Sequence, residues 1–274
     1  MASVGFIGAS GLMGHGMARN LQAKGHELHL VVHRDRTRIA DLLAAGAREQ
    51  ATPAALAAHC DVIFICVTGS PQVEQVVDGA AGLLRDARRG SLIVDCSTSE
   101  PDSTTRLRER CAALGVTLVD APLARTPVEA EAGKLNVMVG ADPATLERLT
   151  PLLRCFAENV FHVGGPGAGH TVKLLNNYAF LVISLTMLGF AVSGVIVSRW
   201  LQRFIDDFDD TVTRCAALFA LTMVGASVIF YWTPTSIYIA HTRPDFVSAL
   251  FRSLPLALLY AVPFVFCGLI LGAL

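Results

Sequence analysis

Short apolar runs bounded by glycine, proline or charge recur along the first 165 residues. Ser3-Val4-Gly5-Phe6-Ile7-Gly8 is the first, and it reads as a buried parallel strand ending on a glycine. Leu28–Val32, Asp61–Val67, Ser91–Cys96, Val116–Pro122, Leu135–Gly140 and Val160–Val163 repeat the pattern. Between them lie amphipathic stretches, one running from the first glycine turn through Leu21 to a stop at Gly25, another from about Pro143 to Leu153. Strand and helix alternate over the whole stretch, which predicts an α/β doubly wound (Rossmann) sheet over 1–165. A glycine-rich turn and the start of a long helix follow over 166–178. The pattern then changes. Phe180–Ser198, Cys215–Ala240 and Ser253–Leu274 carry no charged residue. About twenty apolar residues cross a bilayer core, so 179–274 is expected to be a hydrophobic, transmembrane α-helical segment with spans at 180–198, 215–240 and 253–274. Gly189, Ser193, Gly194 and Gly225, Ala226, Ser227 supply the small residues that helix packing in lipid requires, and Phe230-Tyr231-Trp232 suits a membrane interface.

Charge sharpens this division. The net charge of −1 leaves no basic field for nucleic acid. Of the charged side chains only ten lie beyond residue 173, while all three lysines (Lys24, Lys134, Lys173) lie at or before it. The seven cysteines form no CxxC and no metal spacing with histidine, and no metal is expected; several sit in apolar runs, as small buried thiols in a reducing cytosol would. The chain enters its first strand directly, without a cleavable signal peptide. Asp206-Asp207-Phe208-Asp209-Asp210 lacks the glycine and terminal glutamate of a calcium loop and reads as a solvated connection. Three arginines in that connection against two in the next barely orient the membrane spans. A cofactor-using first domain places itself in the cytoplasm and Leu274 on the far side, a membrane-associated arrangement.

Candidate chemistry begins at the first turn. Gly8, Gly11 and Gly14 are spaced GxxGxxG rather than GxGxxG, between a strand and a helix, so Gly8, Gly11, Leu12, Met13 and Gly14 are the candidates for a dinucleotide pyrophosphate. His15 reads as a helix-surface histidine. The second strand ends in His33-Arg34-Asp35-Arg36, where an acidic residue favours NAD and arginine favours NADP. Arg34 and Arg36 favour NADP; Asp35 keeps NAD open. Val67, Thr68 and Thr98 leave strands at their carboxyl ends, where ligands bind in open α/β sheets. The last candidate is Gly164–Asn177, in which Asn176 and Asn177 share the helix face of Lys173. A lysine buried beside amides can exchange a proton; a glycine turn with a solvated helix start is the other reading.

Gly5-Phe6-Ile7-Gly8 with Met13-Gly14 and Met17–Leu21, Val94–Thr98, Asp120-Ala121-Pro122, Gly133–Gly140 and Gly167–Asn177 occur in the order found in the β-hydroxyacid dehydrogenases. Residues 1–178 resemble this family, which includes 3-hydroxyisobutyrate dehydrogenases and tartronate semialdehyde reductases. The resemblance implies NAD(P)-dependent interconversion of a small anionic hydroxyacid and its aldehyde, with Lys173 as general acid/base and Asn177 and Asn176 beside the substrate. The family's helical domain after this helix usually forms a dimer, so a homo-oligomer is implied too, yet nothing after Tyr178 resembles that domain. Where the family has Val-Ser-Gly-Gly, this chain has Leu123-Ala124-Arg125-Thr126. An Arg-Thr pair resembles the sulfolactaldehyde reductase branch, which implies substrate contacts for Arg125 and Thr126; a guanidinium and a hydroxyl suit a multi-oxygen anion. The first turn also carries one residue more than the family's. The chain thus reads as a membrane-tethered reductase, or alternatively as an inactive, truncated dehydrogenase joined to a fragment of a polytopic membrane protein.

Overall fold

The computed structural model describes residues 2–32, 36–199, 213–218, 221–222, 262, 264–265 and 267, some side chains within 182–199 excepted. They divide into two compact units, Met1–Leu175 and Asn176–Leu274.

The first unit is one mixed sheet wrapped in helices. Its strands are β1 (Ser3–Ile7), β2 (Glu27–Val31), β3 (Arg48–Gln50), β4 (Val62–Ile65), β5 (Leu92–Asp95), β6 (Thr117–Asp120), β7 (Leu123–Ala124), β8 (Leu135–Gly140) and β9 (Ala157–Gly164). Its helices are α1 (Leu12–Ala23), α2 (Ala40–Ala44), α3 (Pro53–Ala57), α4 (Ser70–Asp78), α5 (Pro101–Ala113), α6 (Pro127–Glu131) and α7 (Pro143–Leu153), and α8 (Ala168–Arg199) begins in it. Six parallel strands run in the order β3-β2-β1-β4-β5-β6, and β8 joins antiparallel to β6. That order is the Rossmann one, and it puts a crevice beyond the carboxyl ends of β1 and β4, where the winding reverses.

Why these residues make this sheet follows from burial on both faces. On β4, Phe64 packs into one apolar cluster with Phe6, Val94 and Met17, while Ile63 and Ile65 pack into the other with Ile93, Leu107 and Leu118. Side chains alternate across a strand, so a strand covered on both faces must be apolar at every position. Two strands escape this logic. Arg48-Glu49-Gln50 of β3 is an edge strand with polar side chains, and β7 has two residues; neither carries an apolar pattern to recognise.

Among the described residues, no helix is long and apolar enough to cross a membrane. The expected span 180–198 lies inside α8, which is 32 residues long. Several of its side chains fall outside the described set, and those described do not make a spanning stretch. The expected spans 215–240 and 253–274 lie almost wholly outside the described residues, as does Asp206–Asp210. The described part of α8 nonetheless exposes Phe180, Ile183, Met187 and Val195.

Candidate functional site

The turn after β1 is shaped to admit an anion. Gly8 takes φ 98°, and a Cβ there would lie 2.0 Å from the Cys66 carbonyl oxygen, so only glycine fits. Gly11 stands at the N-cap of α1 and donates its amide to the Gly8 carbonyl at 2.9 Å. No described side chain caps α1, and its first turn holds no acidic residue. The amides of Leu12, Met13 and Gly14 therefore begin a helix whose positive end is capped by no side chain among the described residues, which fits a pyrophosphate. His33 and Arg34 lie outside the described residues, whereas Arg36 pairs with Glu49 at 2.7 Å.

Beyond β4 and β5, the strand ends are pinned to each other. The Val67 amide donates to Ser97 Oγ at 3.0 Å, and the buried Asp95 accepts from the Ser97 amide at 2.9 Å and Ser99 Oγ at 2.7 Å. Thr68 and Thr98 remain exposed on either side of this seam.

The start of α8 is clasped by Asp120. Its carboxylate accepts the Gly167 amide at 2.7 Å and the His170 amide at 3.0 Å, so a buried charge completes the helix N-terminus. Gly169 permits the docking, since a Cβ there would lie 2.7 Å from the Met138 carbonyl oxygen. Lys173, one turn further on and half-buried, donates from Nζ to the Leu123 carbonyl oxygen at 2.8 Å. Burial, which disfavours the ammonium, holds its pKa below the ordinary 10.5. Asn176 and Asn177 follow on α8 at the start of the second unit, the former half-buried and the latter exposed.

Just past Leu123, Arg125 takes φ 83°, a left-handed backbone that β-carbons resist. Its guanidinium donates to the Lys134 carbonyl oxygen at 2.6 Å and pairs with Glu158. Thr126 caps α6: its hydroxyl donates to Glu129, its amide donates to the same carboxylate at 3.0 Å, and its Oγ accepts the Val128 amide at 3.3 Å. Both expected substrate contacts thus hold an internal carboxylate.

His15 departs from a solvated helix surface. Nδ1 lies 2.7 Å from Glu131 Oε1 and Nε2 lies 3.1 Å from Asp41, so it bridges α1 to α6 and α2. Burial disfavours its cation, but the hydrogen bonds and charges of Glu131 and Asp41 outweigh that and raise its pKa above 6.5. Three thiols are held protonated by contrast. Burial pushes Cys60 up to about 11 and Cys66 and Cys111 up to about 12. Sequence spacing singles out the glycines and Lys173 as candidates, but not Asp120 or His170, whose partners lie far away in the chain.

Residues 3–164 match the NAD binding domain of 6-phosphogluconate dehydrogenase. The chain is 39% identical over 174 residues to 2-hydroxy-3-oxopropionate reductase of Escherichia coli K12, covering 63% of this chain and 58% of the relative. It is 33% identical over 184 residues to 3-sulfolactaldehyde reductase of the same organism, covering 67% and 61%. Mycobacterium tuberculosis 3-hydroxyisobutyrate dehydrogenase, solved with L-serine, superposes with a TM-score of 0.64 at 27% identity, over 73% of this chain and 66% of that one. The chain belongs to the β-hydroxyacid dehydrogenase family, through its NAD(P)-binding domain. It spans about three fifths of the length of these two curated relatives.

Proposed function

We propose that this chain is an NAD(P)H-dependent oxidoreductase that interconverts a small anionic hydroxyacid and its aldehyde, of the sulfolactaldehyde or 3-hydroxyisobutyrate type. The observation that carries the reading is Lys173: half-buried and bonded to the carbonyl of Leu123, which lies two residues before Arg125 in the chain. A reduced nicotinamide, when bound, supplies a hydride to the carbonyl carbon. The Lys173 ammonium gives one proton to the oxygen as charge develops there and is left as the amine; in the reverse direction the amine takes the proton back. A lysine whose pKa is lowered by burial serves both directions better than a solvated one.

Arg125 and Thr126 anchor the anionic end. Each already holds a carboxylate, Glu158 and Glu129 respectively, so the donor set that suits a substrate anion is satisfied internally until one arrives. Asn176 and Asn177 orient the substrate beside Lys173, and Gly8 to Gly14 with Val67, Thr68 and Thr98 receive the dinucleotide. The arginine-rich end of the second strand favours NADPH over NADH. The dinucleotide unit works in the cytoplasm, where fractionation of tagged chain would place it.

The deciding experiment is reduction of tartronate semialdehyde by NADPH with the Lys173→Ala variant as control. General acid–base groups typically supply about 10²–10⁴-fold. A loss of roughly 100-fold or more in kcat, with NADPH still bound, is expected. Turnover within about twofold of wild type refutes the role of Lys173.

A further inference from the structure

The structure assigns His170 as a positioning residue that braces the strand-end loop carrying Thr98 against the helix carrying Lys173, an inference that rests on the reading of Lys173 given above. His170 is 1% exposed. Its Nε2 lies 3.2 Å from the Ser97 carbonyl oxygen, and a carbonyl only accepts, so Nε2 carries the proton. In the neutral ring Nδ1 is then the acceptor, 2.8 Å from the Thr104 hydroxyl of α5, whose single proton it shares with the Glu100 carbonyl oxygen at 3.1 Å. The Asp95 carboxylate stands 3.8 Å from Nε2, already holding Ser97 and Ser99. The main-chain amide of His170 is the one fixed by Asp120 on β6. One side chain therefore touches the β5 loop and α5 while its backbone is tied to β6.

What a leucine of similar bulk could not do decides the assignment. An apolar residue would fill the volume at no desolvation cost, whereas a buried imidazole is tolerated only with its polar atoms paired. The paired ring fixes direction as well as distance: it sets how Ser97-Thr98 stands relative to the first turn of α8. Lys173 lies three residues on, along the same face. Ser97 in turn holds the Val67 amide, so the brace reaches Thr68 as well. Geometry of this kind is catalytically sensitive, because a displacement of about 1 Å between reacting groups costs on the order of 100-fold in rate.

The test compares His170→Leu and His170→Gln in the full chain, at matched folded fraction by near-UV circular dichroism. His170→Leu is expected to lower kcat for tartronate semialdehyde at saturating NADPH by about 10–100-fold. His170→Gln, which keeps one donor and one acceptor, is expected to recover kcat to within about fivefold. Wild-type kcat in the leucine variant, or equal losses in both, overturns the brace, since a purely space-filling role predicts one or the other. A second readout does not need turnover. Reductive ¹³C-methylation labels just three lysines, and the Lys173 signal is identified by its absence in Lys173→Ala. With the brace intact Lys173 titrates below the ordinary lysine range; in His170→Leu its midpoint is expected to return toward that range, and an unmoved midpoint overturns the inference. If wild type and Lys173→Ala turn over alike, the acid/base reading falls, and the titration alone judges the brace.

Discussion

Several turns of the dinucleotide unit take positive φ, and two of them use it differently. After β1 the residue is Gly8, at φ 98°; after β7 it is Arg125, at φ 83°. In the first turn there is no room for a side chain, because a Cβ would lie 2.0 Å from the Cys66 carbonyl oxygen. The second keeps the same bend but fills the position with a guanidinium, and the backbone strain is retained for the sake of the charge. Arg125 keeps this conformation with its guanidinium fixed by Glu158 and the Lys134 carbonyl oxygen.

Gly8→Ala is the most damaging way to break the comparison. Its Cβ would meet the Cys66 carbonyl at 2.0 Å, so stability should fall by roughly 2–4 kcal/mol in a urea titration and NADPH binding should be lost. Arg125→Ala comes next: losing a charged anchor should raise KM for an anionic aldehyde by about 10–100-fold, with kcat affected less. Arg125→Gly should lose the same affinity yet regain about 1 kcal/mol of backbone strain relative to Arg125→Ala, a Tm higher by roughly 2–4 °C. Equal Tm values for the two variants would show that the arginine backbone is unstrained. The smallest effect is a pH dependence at His15, which joins the helices that follow the two turns. Its pKa is raised on folding, so its contribution is complete below the ordinary 6.5 and is lost as pH rises through the raised value. His15→Gln should flatten the fall in stability above pH 6.5, by less than about 1 kcal/mol because Asp41 and Glu131 are partly in water.

Much of the fold was legible because buried parallel strands are apolar at every position. Leu135–Gly140 and Pro143–Leu153 fall where the pattern puts them. β3 and β7 were not legible, the one polar at an edge and the other too short to have a period. In the site, Gly8, Gly11, Gly14 and Lys173 announce themselves by local spacing. Asp120 and His170 do not, because the first is 47 and 50 residues from the amides it clasps and the second 66 and 73 from its side-chain partners. The His15 pairing is equally invisible to local spacing: its bond to Glu131 spans 116 residues. The uncharged C-terminal runs speak of apolarity alone, and apolarity does not separate a lipid-facing helix from one buried in protein.

The helices behind the two turns are in backbone contact. A Cβ on Gly16 of α1 would sit 2.4 Å from the Ala130 carbonyl carbon of α6, and the Asn20 amide donates to the carbonyls of Gly16, Ala130 and Glu131. The two turns are thus the ends of one stiff bracket. If a dinucleotide at one end changes the affinity for an anion at the other by some factor, reciprocity makes the anion change the dinucleotide's affinity by the same factor. An affinity for substrate analogue measured without the dinucleotide would therefore describe half of the bracket.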